Sequence, residues 1–515
     1  MGEKIVSVRP AASAILWRNA SGGIEVFWVR RGEQLRFAGG FYAFPGGRVD
    51  EADAAVPLSG AEGLEPMQAA CAAAAARELF EETGVLAVPG AERIPGEALK
   101  AARRALLDDD GRGPGFAGFC ARHELRVDAA RFLPAGRWVT PPQMPVRFDA
   151  RFFLVEMPEG QQAEVWPGEL ADGAWIRPAE ALARWDAGSA LLHPPAWHTL
   201  SALALPAAQA GAQAVLPLLQ DPSWAPWSLP IEEHVVKRIE FQRGMLVVPL
   251  RTQTLPPATH TNCLLLGEDE LWVVDPGSPW EEEQRVLEET LAMLAQEGRV
   301  AKGILLTHEH GDHVDGAVRL SRALGLPVAA SLATQERLAE LGSDVRVDRV
   351  LRDGEVLELG ARRFRLLVLP GHTRGHTCLI DETSRAVVAG DLVAGLGTVI
   401  IDPPEGDMAD YLASLQRLID LGPGTLYPAH GPIIPGGVAK LQQYLAHRQD
   451  REAKVLSALS AATGPAEPAD LVPAVYADVE PALHGLAERS LLAHLLKLEK
   501  DGRAQQSTDG RWRQV

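Results

Sequence analysis

The stretch Thr307-His308-Glu309-His310-Gly311-Asp312-His313 decides the fold of the middle of this chain. It follows the apolar run 303–306, a pattern typical of a short buried strand. Three imidazoles and a nearby aspartate cannot all be satisfied as core groups, and they suit borderline metals such as Zn²⁺, which bind His nitrogen and Asp oxygen. Six of the 14 histidines fall between residues 308 and 430. The further candidate ligands at predicted strand ends are His372, Asp391 and His430.

This ordered pattern resembles the metallo-β-lactamase superfamily over about residues 245–435. The resemblance implies a four-layer αββα sandwich that binds two Zn²⁺ ions, or Fe or Mn in their place. Its implied ligands are His308, His310 and His372 for one metal, Asp312, His313 and His430 for the other, and Asp391 as a bridge. We also assign Asp312 a catalytic role. Asp275 matches a supporting position, and His376 either binds substrate or holds its loop.

Seven ligand groups for two metals indicate hydrolysis, because the metals would lower the pKa of a shared water to give hydroxide and would polarise the electrophile. The Asp391 bridge favours the two-metal hydrolase class. The ligand set does not choose between a thioester and a phosphodiester as the bond attacked.

Two further segments resemble the β-lactamase-like-2 proteins: Thr261–Gly267, and His430-Gly431-Pro432 with the stretch 440–452. That group carries a C-terminal winged helix, and helical patterns at 441–462, 468–476 and 485–501 fit one. An animal member cleaves single-stranded RNA, and related enzymes hydrolyse thioesters. His447, Arg448 and Arg451 lie on one helical side and either meet phosphate or form a solvated face.

The segment Arg77–Val85 places three carboxylates on one face of a predicted helix that begins at about Pro66 and ends at Gly84. Like charges at this spacing repel, and Mg²⁺, which binds carboxylates together with substrate phosphates, would offset the repulsion. A solvated acidic face is the alternative, although acids near a helix C-terminus oppose the macrodipole. The carboxylates are Glu78, Glu81 and Glu82.

The same segment resembles the Nudix box, whose members cleave nucleoside diphosphates linked to another group with Mg²⁺ or Mn²⁺. The resemblance implies that Glu78, Glu81 and Glu82 are metal ligands or the base, and that Arg77 orients them. Ala69 stands where the family has a glutamate, and the insertion 49–65 separates the upstream glycines from the box. Peroxisomal coenzyme A diphosphatases resemble this chain in that insertion.

An upstream pattern matches the coenzyme A signature of Nudix proteins, with Gly32 where Ser or Ala is usual. Arginine binds phosphate bidentately and glycine lets the backbone approach, so the pattern suits a phosphate-rich ligand. The alternative is a pair of surface arginines on a hairpin. The signature residues are Arg31, Arg36, Gly40, Gly46 and Gly47, and Glu169 is a candidate loop ligand.

The length of 515 residues suggests about three domains. We predict a mixed α/β and α+β multidomain protein: a Nudix α/β/α sandwich over 5–204, a linker over 205–230, a metallo-β-lactamase αββα sandwich over 231–440, and a winged-helix-like domain over 441–515. Four scattered cysteines without a CxxC pair and the absence of a long apolar run indicate a soluble, reduced, cytoplasmic protein with no membrane contact.

The net charge of −18 counts against a generic polyanion binder. Residues 431–515, however, carry ten basic and ten acidic side chains, so RNA remains a possible partner there. The leading hypothesis is a bifunctional hydrolase of small-molecule substrates, a nucleoside-diphosphate derivative such as coenzyme A or acyl-CoA at the Nudix site and an ester at the second. The alternative is a dizinc endoribonuclease whose Nudix half binds or senses a nucleotide.

Overall fold

The computed structural model describes residues 7–35, 38–108, 115–141, 144, 146–221 and 239–515. Arg36, one of the signature arginines, lies outside these residues. The chain forms two compact units, residues 1–243 and 244–515. No helix in the described part of the chain is long and apolar enough to cross a membrane.

The first unit is built on one seven-stranded mixed sheet, in which the neighbouring strands β1 and β8 are parallel. Its order is β3-β2-β1-β8-β7, with β4 paired to β1 and β9 paired to β2. The strands of the unit are β1 (Val8–Ala20), β2 (Gly23–Arg31), β3 (Tyr42–Ala43), β4 (Gly46–Arg48), β5 (Leu58–Ser59), β6 (Val127–Asp128), β7 (Leu133–Val139), β8 (Arg147–Glu156), β9 (Leu170–Ile176) and β10 (Ile239–Glu240). Its helices are α1 (Pro66–Thr83), α2 (Gly96–Leu107), α3 (Gly115–Arg122), α4 (Pro178–Asp186), α5 (Pro194–Leu203) and α6 (Leu216–Gln220).

Alternate residues of β1 are buried on opposite faces of this sheet, as the two-residue period of a strand requires. Ala14 and Leu16 belong to the core that includes the alanines of α1. Ile15 and Trp17 belong to a second core that includes Trp185 of α4 and residues of α5 and α6. Helices therefore cover both faces, and the predicted α/β/α arrangement is confirmed.

Helix α1 carries the carboxylate motif and has nearly the predicted bounds, Pro66–Thr83. Gly84 ends it in the left-handed conformation at φ 73°, which glycine adopts without strain. The run Ala70–Ala76 is buried, and its short side chains let the helix lie close to the sheet. This packing fixes the last turn, where the glutamates lie.

The linker predicted over 205–230 is wrong for its first part. Residues 206–220 form two short 3-10 helices and α6. Ala212, Val215 and Leu219 are buried in the same core as Trp17. The alanines and prolines that suggested a linker instead make tight turns with a small apolar face. Residues 222–238 lie outside the described part of the chain.

The second unit contains two sheets. The first has the order β11-β12-β13-β14-β15-β16, and the second is five-stranded with the order β17-β18-β19-β20-β21. The strands are β11 (Met245–Arg251), β12 (His260–Leu266), β13 (Glu270–Val274), β14 (Val300–Leu305), β15 (Val328–Ser331), β16 (Arg349–Leu351), β17 (Val356–Leu359), β18 (Arg362–Val368), β19 (Thr377–Asp381), β20 (Val387–Gly390), β21 (Leu426–Pro428), β22 (Ala504–Gln506) and β23 (Trp512–Gln514). The helices are α7 (Glu281–Gln296), α8 (Gly311–Val314), α9 (Ala317–Leu324), α10 (Leu332–Glu340), α11 (Met408–Asp420), α12 (Gly437–Ala461), α13 (Pro468–Val475) and α14 (His484–Lys500).

Both sheets of this unit are buried on both faces. Leu265 of β12 packs in a core with α7 and α9, whereas its neighbours Leu264 and Leu266 are buried on the opposite face. Cys378 and Ile380 of β19 pack in a core with α11 and α12, and Leu379 between them is also buried. Strands buried on both faces read as continuous apolar runs, and the αββα sandwich is confirmed.

The boundary predicted at 440/441 falls inside α12, which serves two cores. Leu441 and Tyr444 belong to the core of the second sheet, whereas Val455 and Leu459 pack with α13, α14 and Trp512. The three helices and the hairpin β22-β23 form the predicted winged-helix arrangement. A continuous helix thus joins the two parts without a linker.

Candidate functional site

The candidate metal ligands in the second unit lie just beyond strand ends. His308 and His310 follow β14, and Asp312 and His313 lie in the short helix α8. The other three ligands follow strands of the second sheet: His372 after β18, Asp391 after β20, and His430 after β21. Residues beyond strand ends are free to turn their side chains toward a common point, which explains why ligands distant in sequence meet.

These side chains form two groups of donor atoms. In each group, every atom lies within 4.8 Å of the others. Asp391 belongs to the first group and also reaches the second, since its Oδ1 lies 3.6 Å from His313 Nε2 and 3.3 Å from His430 Nε2. The first group is His308, His310, His372 and Asp391, and the second is Asp312, His313 and His430. The structure therefore brings together all seven residues that the sequence selected.

Hydrogen bonds on the far side of the rings orient three of the imidazoles. His372 Nδ1 donates to the Ile400 carbonyl at 2.9 Å, and His430 Nδ1 donates to the His260 carbonyl at 3.0 Å. His313 Nδ1 donates to Asp275 Oδ2 at 2.8 Å. Each bond leaves Nε2 with its lone pair directed inward, which is how proteins prepare histidines for metal binding.

Asp275 supports two ligand segments at once. Its carboxylate accepts the backbone N–H and the hydroxyl of Thr307, at 2.8 and 2.7 Å, in addition to His313. The Thr307 hydroxyl in turn lies 3.0 Å from His308 Nδ1. Asp275 is 2% exposed and has φ 53°, a conformation that costs free energy in a non-glycine residue. The fold thus maintains a strained residue where it can position His308 and His313.

The donor set fits metal ions better than it fits hydrogen bonds. His310 Nδ1 lies 2.9 Å from His308 Nε2 and 3.1 Å from His372 Nε2, so lone pairs converge. His313 Nε2 is buried without a hydrogen-bond partner among the described residues. Burial, reinforced by neighbouring imidazoles, lowers the pKa of His310 to about 4, which favours the neutral form that binds metal. A cation between these atoms would satisfy them.

His376 is buried beside the centre and faces the backbone of a ligand. Its Nε2 accepts the N–H of Asp391 at 3.0 Å. Gly390 has φ 48°, and a Cβ there would lie 2.6 Å from His376 Nε2, so this contact requires glycine. Of the two interpretations of His376, the geometry favours the one in which it holds the Asp391 loop.

A cavity of about 920 Å³ connects the metal centre with the winged-helix part. Arg448 and Arg451 line this cavity and are each only 3% exposed. Arg451 forms an ion pair with Asp478 at 2.8 Å. The solvated face offered for these arginines is therefore wrong, because both side chains are buried. That they meet a phosphate group stays a prediction. Their place at the cavity wall could not be read from helical periodicity.

A second cavity, of about 450 Å³, lies in the first unit beside the carboxylate helix. The Gly46 N–H donates to Glu82 Oε2 at 2.8 Å, and a Cβ at Gly47 would lie 2.5 Å from Glu78 Oε1. The two glycines therefore allow the loop to approach the glutamates. The wall of this cavity includes six predicted site residues, namely Arg31, Gly46, Gly47, Glu78, Glu82 and Glu169. Gly40 does not line the cavity and instead has φ 78° in the preceding turn.

Glu81 is bridged to Glu78 by Arg77. Arg77 Nη1 donates to Glu81 at 3.0 Å and to Glu78 at 2.8 Å. Glu81 does not line the cavity, and the three carboxylates do not form a close donor group like the two found in the described part of the second unit. Arg77 thus contacts Glu78 and Glu81, and Glu78 and Glu82 line the cavity.

Asp53 is the residue that the sequence reasoning missed. It lies in the inserted loop and is 2% exposed, and it accepts Arg77 Nε at 2.8 Å and Nη2 at 3.0 Å. This bidentate pair supplies a carboxylate to Arg77 in a chain that has Ala69 where the Nudix box has a glutamate. The only signal was an unusual concentration of acids in the insertion, which has no fixed spacing to the helix.

The environment of the cavity carboxylates suits a divalent cation. Burial raises the pKa of Glu78 to about 7, and burial with the neighbouring Glu78 raises that of Glu82 well above its usual range. Two carboxylates that are costly to ionise together are a suitable place for Mg²⁺, which uses one or two carboxylates and completes its shell with water and substrate phosphate.

Comparison with known proteins assigns the second unit. Residues 256–430 match the metallo-β-lactamase superfamily, and residues 468–512 match the β-lactamase associated winged helix domain. A β-lactamase-like protein 2 homolog of Caenorhabditis elegans is 31% identical over 243 residues, which span 47% of this chain and 79% of that protein. An atrochrysone carboxyl ACP thioesterase of Aspergillus fumigatus is 29% identical over 231 residues, 42% of this chain and 68% of that protein.

For the first unit, the comparison found a solved structure, a NUDIX hydrolase from Alicyclobacillus acidocaldarius. It is 31% identical with a TM-score of 0.34, and the match covers 39% of this chain and 92% of that one. The assignment of the chain rests on the second unit, where the ligand geometry, the matched regions and the relative from C. elegans agree. The chain belongs to the metallo-β-lactamase superfamily of hydrolases.

Proposed function

We propose that this chain is a bifunctional metal-dependent hydrolase, with a two-metal centre in residues 244–515 and a diphosphatase site in the first unit. The observation that carries the proposal is the convergence of seven metal-binding side chains in two groups that share Asp391. The proposed metals are two Zn²⁺ ions, or Fe or Mn, in the second unit and Mg²⁺ or Mn²⁺ in the first.

In the second unit, the two donor groups would each hold one ion. Bound there, the ions would supply a water of lowered pKa and polarise the carbonyl or phosphoryl oxygen of the substrate. Asp275 fixes His313 by its hydrogen bond, and His376 fixes the backbone of Asp391. Asp312 remains our candidate catalytic residue, because its carboxylate lines the cavity in which a substrate would lie.

A small ester or thioester is a better substrate for this centre than RNA. Arg448 and Arg451, which the ribonuclease hypothesis needs on the surface, are buried at the cavity wall. Residues 431–515 have no net charge, so they offer no basic field for a polyanion. One relative is by name a thioesterase, which supports a thioester as the bond cleaved.

In the first unit, Glu78 and Glu82 would hold the cation, and Glu81 would act through Arg77. Arg31 lines the same cavity and donates to Glu169 at 2.7 Å, so it is placed to exchange that carboxylate for a substrate phosphate. A diphosphate of the coenzyme A type is the proposed substrate. The proposed setting is cytoplasmic, in keeping with four buried, unpaired cysteines.

The full-length chain tests both parts with acyl-CoA in the presence of Zn²⁺ and Mg²⁺. Released thiol reports the second unit, and a phosphopantetheine-type product reports the first. We expect His310→Ala to abolish only thiol release and Glu82→Gln to abolish only the phosphopantetheine-type product. Absence of both products from the wild-type chain would reject the acyl-CoA proposal. Nucleotide binding without a diphosphatase product would instead support the sensing role.

A further inference from the structure

Arg448 is a buried cation whose charge has no carboxylate partner in the described part of the chain. It is 3% exposed, its Nη2 donates to the Val399 carbonyl at 2.5 Å, and its guanidinium carbon lies 5.4 Å from the Tyr411 ring centroid. Its Nε has no hydrogen-bond partner among the described residues. Arg451, about one helical turn further along α12, is by contrast paired with both oxygens of Asp478. A buried guanidinium with only part of its hydrogen bonds made is costly unless a ligand completes them.

A second unsatisfied group lines the same cavity. Tyr476 is 6% exposed, and its hydroxyl has no hydrogen-bond partner among the described residues. Its ring is covered by Arg451, whose guanidinium carbon lies 4.4 Å from the ring centroid. Arg448 and Tyr476 both line the cavity of about 920 Å³ that also contains His310, Asp312 and Asp391 of the metal centre.

The surroundings of Arg448 favour an anion. The other basic side chains of this region are paired: Lys497 lies 2.9 Å from Glu452 and 2.7 Å from Asp501, and Arg451 pairs with Asp478. An incoming carboxylate or phosphate would therefore meet, in Arg448, a guanidinium without a carboxylate partner among the described residues, and arginine donates to such oxygens.

The wall of this cavity also contains apolar side chains, among them Leu255, Leu396, Val399, Leu486 and Ala487. Such a cavity suits a molecule that has an apolar part as well as polar groups. The reactive ester would lie at the metal centre, and a second group would reach α12.

We propose that Arg448 and Tyr476 form a subsite for an anionic group, a carboxylate or a phosphate, carried by the ester or thioester substrate at the end remote from the bond cleaved. The inference rests on the proposed hydrolase function of the metal centre and adds its substrate class: esters with an anionic tail. The burial of Arg448 favours a small molecule over RNA, whose backbone would need the guanidinium at the surface.

The kinetic test compares two thioesters that differ only at the tail, S-glutaryl- and S-pentanoyl-N-acetylcysteamine, with thiol release by the full-length chain as the readout. We expect the wild-type kcat/KM to be at least tenfold higher for the glutaryl compound. Arg448→Met and Tyr476→Phe should remove most of that preference through KM, and leave pentanoyl hydrolysis within about twofold. Arg513→Met, a change at an exposed arginine of β23, is the matched control and should preserve the preference.

A binding test separates this subsite from the hydrolase proposal. Metal-depleted full-length chain is titrated calorimetrically with glutarate and, separately, with inorganic phosphate, and the tighter anion identifies the tail. We expect at least tenfold weaker binding by Arg448→Met and several-fold weaker binding by Tyr476→Phe, which removes only the hydroxyl.

Equal loss of activity on both thioesters in both variants, or unchanged anion binding by them, would overturn the subsite. Loss of single-stranded RNA binding by Arg448→Met with glutarate binding intact would also overturn it, in favour of RNA. If the wild-type chain hydrolyses neither thioester, but Arg448→Met binds glutarate more weakly than the wild type does, only the hydrolase proposal would be contradicted.

Discussion

The metal centre of the second unit and the carboxylate cavity of the first differ in what balances their polar groups. In the metal centre, His308, His310 and His372 direct ring nitrogens at one another, and no arginine or lysine lies among them in the described structure. In the carboxylate cavity, Arg77 binds Glu78 and Glu81 and is itself held by Asp53. The metal centre needs an added cation to balance its polar groups, whereas the carboxylate cavity has the guanidinium of Arg77.

This difference predicts how each centre responds to loss of metal. The converging imidazoles should bind their ions tightly, because an ion would take up the lone pairs that face one another in His308, His310 and His372. The carboxylates should bind Mg²⁺ weakly until a substrate phosphate supplies further oxygens. Mutations that remove a ligand should therefore act most strongly in the second unit, and mutations of the supporting protein groups should act most in the first.

The largest effect is expected for Asp391→Asn, because this carboxylate reaches both donor groups. We expect a loss of roughly 1,000-fold in thiol release, about 4 kcal/mol of transition-state stabilisation, together with loss of bound metal. Metal content by mass spectrometry and thiol release measure it. Asp420→Asn, at an exposed position of α11, is the control. Full metal content and full activity in Asp391→Asn would contradict the expectation that loss of a ligand acts most strongly in the second unit.

A smaller effect is expected for Asp275→Asn, which keeps the shape but weakens the bonds to His313 and Thr307. Residues that orient metal ligands contribute roughly 10–100-fold to metal affinity or activity. We expect a loss in that range, measured as the free metal concentration at half-maximal activity. Excess metal should restore much of the rate if Asp275 acts through the ligands, and no restoration would contradict that role.

The sequence predicted the metal centre far more completely than the carboxylate cavity, for a physical reason. Metal ligands are restricted to a few residue types, and His308, His372 and Asp391 each follow a recognisable buried strand. Their convergence then follows from the sandwich. Asp53, in contrast, pairs with Arg77 from a loop whose length and path are not periodic, so no spacing rule indicates it.

The linker prediction and the solvated-face alternative for the arginines of α12 were wrong for a related reason. Residues 205–220 have the composition of a linker, but the burial of Val215 and Leu219 depends on the sheet they meet. Helical periodicity correctly predicted that Arg448 and Arg451 share one side of α12. Whether that side is exposed depends on the packing of α13 and α14, which periodicity does not specify. Local patterns specify elements, and tertiary packing specifies exposure.

Asp53→Asn tests whether the first unit depends on its internal cation. The substitution removes the charge that holds Arg77, so we expect roughly tenfold weaker Mn²⁺ binding, about 1.4 kcal/mol, measured by electron paramagnetic resonance on the full-length chain. Asp50→Asn is a matched control, since Asp50 lies 3.7 Å from Arg77 and its side chain is 60% exposed. Equal effects of the two variants would show that general acidity of the loop, and not the Asp53 pair, is what matters.

The smallest effect is expected for Arg103→Lys, which tests the support of the helix itself. Arg103 Nε donates to the Glu81 carbonyl at 2.9 Å and its Nη2 donates to the Glu82 carbonyl at 2.7 Å, so it holds the end of α1. Lysine keeps the charge but loses about one hydrogen bond, worth about 1 kcal/mol. We expect calorimetry to show the first unit melting about 2–4 °C lower, with the metal centre unchanged. Arg104→Lys, at the exposed neighbouring position, should leave both transitions in place. A shift in the transition of the second unit would mean that the two centres are not supported separately.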